Sequence, residues 1–229
     1  MRKLLIAAVV LLLLGAGADF AAARVFEDRV TEALQREYDL GRRPVVQVRD
    51  FPFLPHLATG RFSTIDVAAT DATARGINAA QLQLTLHGVR VPRDVMLGEP
   101  GRVTVDRADG TIELTEAEVN RLLADRLQGG ALELKDDGVE VSVDLALVGQ
   151  AQLKGKLGAR DGGVTFTPTE IRLGDRGPLD PAQQDLLSSQ FTFRVPLPEL
   201  PAGVRLERVD TRPGTVVLSG RAASVGVAA

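Results

Sequence analysis

His56 and His87 are the only histidines in this 229-residue chain, and they are the first residues to weigh for chemistry. A general base or an imidazole metal site needs a carboxylate or a second ring brought against the histidine. Neither histidine has a partner at metal-binding spacing, and no His-Glu-x-x-His occurs. His87 falls on the polar face of the alternating run 81–87 and reads as a solvated side chain. His56 follows Pro55 in an apolar, proline-rich stretch and reads as a loop residue. Gly-x-Ser-x-Gly and the phosphate-cradling Gly-x-x-x-x-Gly-Lys-[Ser/Thr] are both missing. Cysteine is absent, which removes disulfides, thiolate zinc sites and cysteine nucleophiles together. Acidic pairs such as Asp136-Asp137 are accounted for by turn chemistry. A glycosidase pair assembled from distant strands stays open in principle, but nothing in the sequence points to it. The expectation is a protein that is not an enzyme and uses no cofactor and no metal.

The unusual residues are apolar. The segment Asp50-Phe51-Pro52-Phe53-Leu54-Pro55-His56-Leu57 packs Phe and Pro together. Proline holds the backbone extended and removes a donor, so the segment is ill suited to a sheet interior. It reads as a loop that either plugs the core or stands at a cavity mouth or a membrane surface. The second such stretch, residues 191–201, has the same two readings. Arg42, Arg43 and Arg49 lie close by in sequence. They suit either a solvated surface or an anionic headgroup.

These residues must be positioned by a mostly β chain. After Pro44 the apolar period is 2. Val46 and Val48, then Ile65, Val67 and Ala69, alternate with polar or small residues. In Gln81-Leu82-Gln83-Leu84-Thr85-Leu86-His87 one face is all leucine. Val103 and Val105 lead to Asp109-Gly110, a hairpin signal, and then to Ile112 and Leu114. Leu132 and Leu134 precede a second turn at Asp136-Asp137-Gly138. Val139, Val141, Val143, Leu145 and Leu147 follow, then strands around Gly162-Gly163, and Val204, Leu206 and 215–219 near the end. Alternation of this kind marks antiparallel sheets with one buried face. Few helices interrupt it. One spans 20–38, with Phe26, Val30, Ala33, Leu34 and Tyr38 on one face. Another starts at Thr115, with Thr115-x-x-Glu118 as a capping box. A short one covers about 181–189. The predicted class is therefore mainly β with a few helices (α+β).

Arg2 and Lys3, the apolar run Leu4–Leu14, and the small-residue patterns Ala16-Gly17-Ala18 and Ala21-Ala22-Ala23 have the layout of a secretory leader. The run is shorter than the roughly 20 residues that span a bilayer. Residues 1–23 are thus a signal peptide or an N-terminal membrane anchor, and 24–229 form a single β-rich domain. A net charge of -3 leaves no basic surplus for a phosphate backbone, which argues against nucleic acid. Aromatics at 4% argue against recognition by ring stacking.

Asp50-Phe51-Pro52-Phe53-Leu54, followed by Thr59-Gly60-Arg61-Phe62, resembles the Gly-x-Pro-Phe-Leu … Gly-x-[Tyr/Phe] signature of actinobacterial LmeA-like phospholipid-binding proteins. The glycine sometimes found before that motif is missing here. Leu86-His87-Gly88-Val89-Arg90-Val91-Pro92 resembles the following Leu-x-Gly-Val-x-Val-Pro element. Leu197-Pro198-Glu199-Leu200-Pro201-Ala202-Gly203-Val204 resembles the family's C-terminal stretch. The resemblance implies an exported periplasmic or cell-envelope protein. It implies a tubular lipid-binding (BPI-like) half-barrel, in which a long curved antiparallel sheet wraps a helix around an apolar channel. It further implies binding of phospholipid, including phosphatidylinositol-type lipids, at a membrane surface, and support of envelope glycolipid and lipomannan maturation. No catalytic residue is carried over.

In that frame Leu82, Leu84, Leu86, Val119, Leu122, Leu123, Leu127, Val141, Val143, Phe191 and Phe193 are expected to line the channel. Phe51, Phe53, Leu54, Leu57 and Phe62 are expected at its mouth or at the membrane, with Arg42, Arg43 and Arg49 toward the headgroup. Ordinary core packing is the alternative for each apolar residue. The alternative for the whole protein is an envelope scaffold that binds no lipid and partners a membrane glycosyltransferase.

Overall fold

The computed structural model describes residues 2–37, 40–74, 76–96, 99–127, 130–136, 138–145, 149–160, 163–173, 188, 191–196 and 204–228. Strands dominate, in the α+β class that the alternation predicts. In chain order the elements are α1 (Arg2–Glu37), β1 (Val45–Val48), α2 (Phe53–Thr59), β2 (Arg61–Ala74), β3 (Ile77–Arg90), α3 (Arg93–Met96), β4 (Arg102–Thr115), α4 (Glu116–Leu127), β5 (Ala131–Lys135), β6 (Gly138–Leu145), β7 (Gly149–Arg160), β8 (Gly163–Leu173), β9 (Phe193–Pro196), β10 (Val204–Arg212) and β11 (Thr215–Ala228). One open sheet has the order β1-β2-β3-β4-β11-β10, and a second has the order β5-β6-β7-β8-β9. The registers described, β1 on β2 and each neighbouring pair from β5 to β9, are all antiparallel.

The residues group into two compact units. The first comprises Met1–Thr70, Gln83–Asp109 and Ala222–Ala229; the second comprises Asp71–Leu82 and Gly110–Arg221.

The second unit carries antiparallel hairpins on an apolar core. Lys135 pairs with Gly138 at the turn that Asp136-Asp137-Gly138 predicts, and Arg160 pairs with Gly163 at the glycine turn. Leu132, Val139, Val141, Phe166 and Ile171 are each at most 2% exposed. The apolar stripe of α4 joins them through Val119, Leu123 and Leu127. Helix α4 begins as its sequence predicts, with the Glu118 amide donating to Thr115 Oγ1 at 3.3 Å. The Glu118 carboxylate does not reach back to close the capping box. It accepts the Asn78 amide at 2.7 Å, the Asn78 side-chain amide at 3.1 Å, and the Arg121 guanidinium, which also donates to the Gly76 carbonyl. The β2–β3 turn is thereby tied to α4. Glu118 is 6% exposed. The Arg121 hydrogen bonds, aided by those from Asn78, overcome its burial and lower its carboxyl to about 2.

Three expectations are corrected. Asp109-Gly110 is not a turn, because β4 runs through it. Val105 is buried in the first unit's core and Leu114 in the second's. One position is odd and the other even, so the alternation loses phase between them and imitates a hairpin. The segment 50–57 is not a loop throughout, because α2 begins at Phe53. Pro55 lies in the first turn, where its missing N–H has no intrahelical partner to lose. The helix expected over 20–38 starts earlier, since α1 runs from Arg2 to Glu37; Gly15 and Gly17 are tolerated inside it. Among the described residues no helix is long and apolar enough to cross a membrane. The helix expected near 181–189 and the motif 197–203 lie outside the described residues, apart from Ser188.

Candidate functional site

The Phe/Pro segment is held by α1. Asp19 is 5% exposed, and its two oxygens accept the amides of Phe53 at 2.7 Å and Leu54 at 2.8 Å. These are the first two N–H groups of α2, which have no acceptor inside the helix. Pro52 supplies no side-chain cap, so the capping carboxylate comes from another helix 34 residues away. At the other end Gly60 closes α2 at φ 66°, and an added Cβ there would lie 2.2 Å from the Val91 carbonyl oxygen. Gly88, at φ 63°, would set a Cβ 2.3 Å from the Asp106 carboxylate. Both glycines of the two sequence motifs thus answer to a left-handed backbone and a close neighbour.

The segment divides its apolar residues between core and water. Phe53 and Phe62 are 1% and 2% exposed. With Phe26 of α1 they form a trio, at centroid separations of 5.3 to 5.9 Å. Leu57 is half-buried against the same core. Phe51 is 76% exposed and Leu54 42%. Leu13, Leu14, Phe20, Val25 and Val45 are exposed large apolar residues of the same unit, whereas Leu122 represents the second unit among them.

A groove of about 190 Å³ runs between α1 and the β1–α2 segment. It is lined by Asp19, Phe20, Ala23, Arg24 and Glu27 on one side and by Gln47, Val48, Arg49, Asp50, Phe51 and Phe53 on the other. Its carboxylates are committed to the backbone. Besides Asp19, Glu27 accepts the Val48 amide at 2.9 Å, and Asp50 accepts the Ser63 amide at 2.8 Å. Its cations are more available. The Arg24 guanidinium sits 5.2 Å from the Phe20 ring centroid. Arg49 bonds Asp66 at 2.6 Å while its side chain stays 63% exposed. Burial pushes the Asp66 carboxyl up, but hydrogen bonds from Arg49 and Thr85 outweigh this and hold it below the usual range. The volume falls short of the ~300 Å³ at which drug-sized pockets begin, so the groove suits a headgroup fragment rather than a whole lipid.

Of the headgroup candidates, Arg49 lines the groove, whereas Arg42 and Arg43 do not. Arg43 pairs with Asp28 at 2.9 Å. Of the channel candidates, Val119, Leu123, Leu127 and Val141 lie in the second unit's core, and Val143 and Phe191 are half-buried against it. Leu122 is 41% exposed. Phe193 faces Phe166 in the β8–β9 register, and its side chain is outside the described residues. Leu86 packs on the first unit's core, while Leu82 and Leu84 are half-buried and belong to neither core cluster. His56 Nδ1 donates to the Arg61 carbonyl at 2.9 Å, and His87 Nε2 lies 3.3 Å from Asp109. Among the described residues no three His, Cys, Asp or Glu gather as a metal site. Sequence reasoning missed Asp19, Phe20 and Arg24. A lone carboxylate within an otherwise uncharged stretch of helix was the available signal for Asp19.

A family model described as LmeA-like phospholipid-binding matches residues 17–221. Neither a curated protein nor a solved structure matches the chain.

Proposed function

The chain belongs to the LmeA-like phospholipid-binding family, and on that premise we propose that it engages phospholipid through the apolar surface of its first unit. The observation that carries this reading is the placement of Phe51 and Phe20 in water beside two arginines, with Leu54 exposed on the same segment as Phe51. Exposed rings with guanidinium neighbours suit the boundary between acyl chains and headgroups. Arg49 and Arg24 would meet the phosphate, and Phe51 and Leu54 the first methylenes. Each buried CH₂ contributes about 0.8 kcal/mol, so a few contacts matter and a full chain would dominate the binding. Leu84, which its own unit's core does not absorb, is retained as an acyl contact.

Export to the cell envelope, preference for phosphatidylinositol-type lipids and support of lipomannan maturation, with a membrane glycosyltransferase as partner, complete the proposal. The leader-like N-terminus supports the first of these, and the family membership supports the rest. The test is to identify whatever lipid co-purifies with the protein by native mass spectrometry, and then to measure vesicle binding. Phospholipid bound at one equivalent, lost in Leu84→Lys with the fold kept, is the expected result. A lipid-free protein that ignores vesicles would leave the scaffold reading in its place.

A further inference from the structure

Ala16-Gly17-Ala18 and Ala21-Ala22-Ala23 both place small residues where a leader peptidase reads them, so the sequence leaves two candidate bonds, Ala18–Asp19 and Ala23–Arg24. The structure separates them. Residues 13–18 are exposed, and a Cβ added at Gly15 or Gly17 would meet nothing within 4 Å. One residue later the environment changes. The Asp19 carboxylate is buried and holds the Phe53 and Leu54 amides. Ala22 and Ala23 pack against the first unit's core together with Phe26 and Val30. Cleavage after Ala23 would carry off the acceptor of two amides at the start of α2 and open the core beside the phenylalanine trio.

We propose that the mature chain keeps Asp19: Ala18–Asp19 is the last bond that processing opens, and Ala23–Arg24 stays intact. Hydrolysis at Ala18–Asp19 adds water's hydroxyl to the Ala18 carbonyl and its proton to the Asp19 nitrogen. Leu13 and Leu14 leave with the released peptide, and the cap stays with the fold. The inference goes beyond lipid binding and rests on the export reading.

The experiment is N-terminal sequencing and intact mass of the full-length chain, produced with its own N-terminus in an exporting host and recovered from each cell fraction. The expected exported chain begins at Asp19 or upstream of it. An exported chain beginning at Arg24 overturns the inference alone. A full-mass chain confined to the cytoplasm overturns it together with the export reading. Ala21→Leu, at an exposed position, removes the second pattern and should leave the N-terminus unchanged; a shifted terminus counts against the proposal. Asp19→Ala should make residues 50–60 more sensitive to limited proteolysis, and equal sensitivity would refute the capping role.

Discussion

The two units spend their large apolar side chains differently. In the second, Phe166 and Ile171 are 1% and 0% exposed, and the Glu118 carboxylate is itself buried. In the first, the buried Phe53 and Phe62 pack with the half-buried Phe26, beside phenylalanines left in water, Phe51 at 76% and Phe20 at 63%. Phe20 and Phe51 both line one groove, and grouped apolar exposure of that kind marks an interaction surface. On the proposed reading the first unit is where lipid is to be sought, and stability losses in the second unit should then be separable from binding.

The largest expected effect compares one residue type in two places. Phe166→Ala should lower stability in urea unfolding by about 3–5 kcal/mol, the range for a buried aromatic. The corresponding change at Phe51 should stay within about 0.5 kcal/mol. Equal losses would erase the distinction between the units.

Next in size is the second unit's carboxylate. Glu118 titrates near 4.5 when unfolded and at about 2 when folded. The lowered folded value means that its stabilisation is complete above 4.5 and is lost as the pH falls from there toward 2. Glu118→Gln should therefore remove about 2–3 kcal/mol at pH 7 and almost nothing near pH 2. Urea midpoints across that window measure it. A variant whose deficit is the same at both ends would show that the carboxylate's charge contributes little.

The period-2 alternation made the sheets legible, and the Thr115 cap marked the start of α4. Both are local signals. The site was legible only in part. Phe53 and Phe51 stand two residues apart in one motif, yet one is core and the other solvent. That difference depends on Phe26 and Asp19, which approach from α1, 27 and 34 residues earlier in the chain. The phase slip in β4 was misread for a related reason. Val105 and Ala108 pack on the same core yet differ in parity, so the inward face shifts within β4 itself, and in sequence such a shift reads as a turn.

Binding effects are smaller. Phe51→Ser should leave the unfolding midpoint in place and weaken vesicle binding about tenfold, the equivalent of losing most of one buried ring. Co-sedimentation of the folded variant measures it. Undiminished binding would remove Phe51 from the lipid-facing surface and narrow the contrast between the units to stability alone.

The smallest effect tests the arginines. Arg49 lines the groove, and Arg43 is engaged with Asp28 outside it. Both are exposed, so neither should alter stability measurably. On anionic vesicles at low salt, Arg49→Gln should weaken binding two- to threefold and Arg43→Gln should not, by roughly the contribution of one screened surface charge. The difference should vanish near 0.5 M salt, where a headgroup contact made through an exposed guanidinium is screened. If the two variants weaken binding equally, the arginines act as a diffuse positive field and the groove has no special claim on the phosphate. If the Arg49 effect persists in high salt, the contact is desolvated, which would place the phosphate inside the groove, between Arg49 and the Phe51 ring.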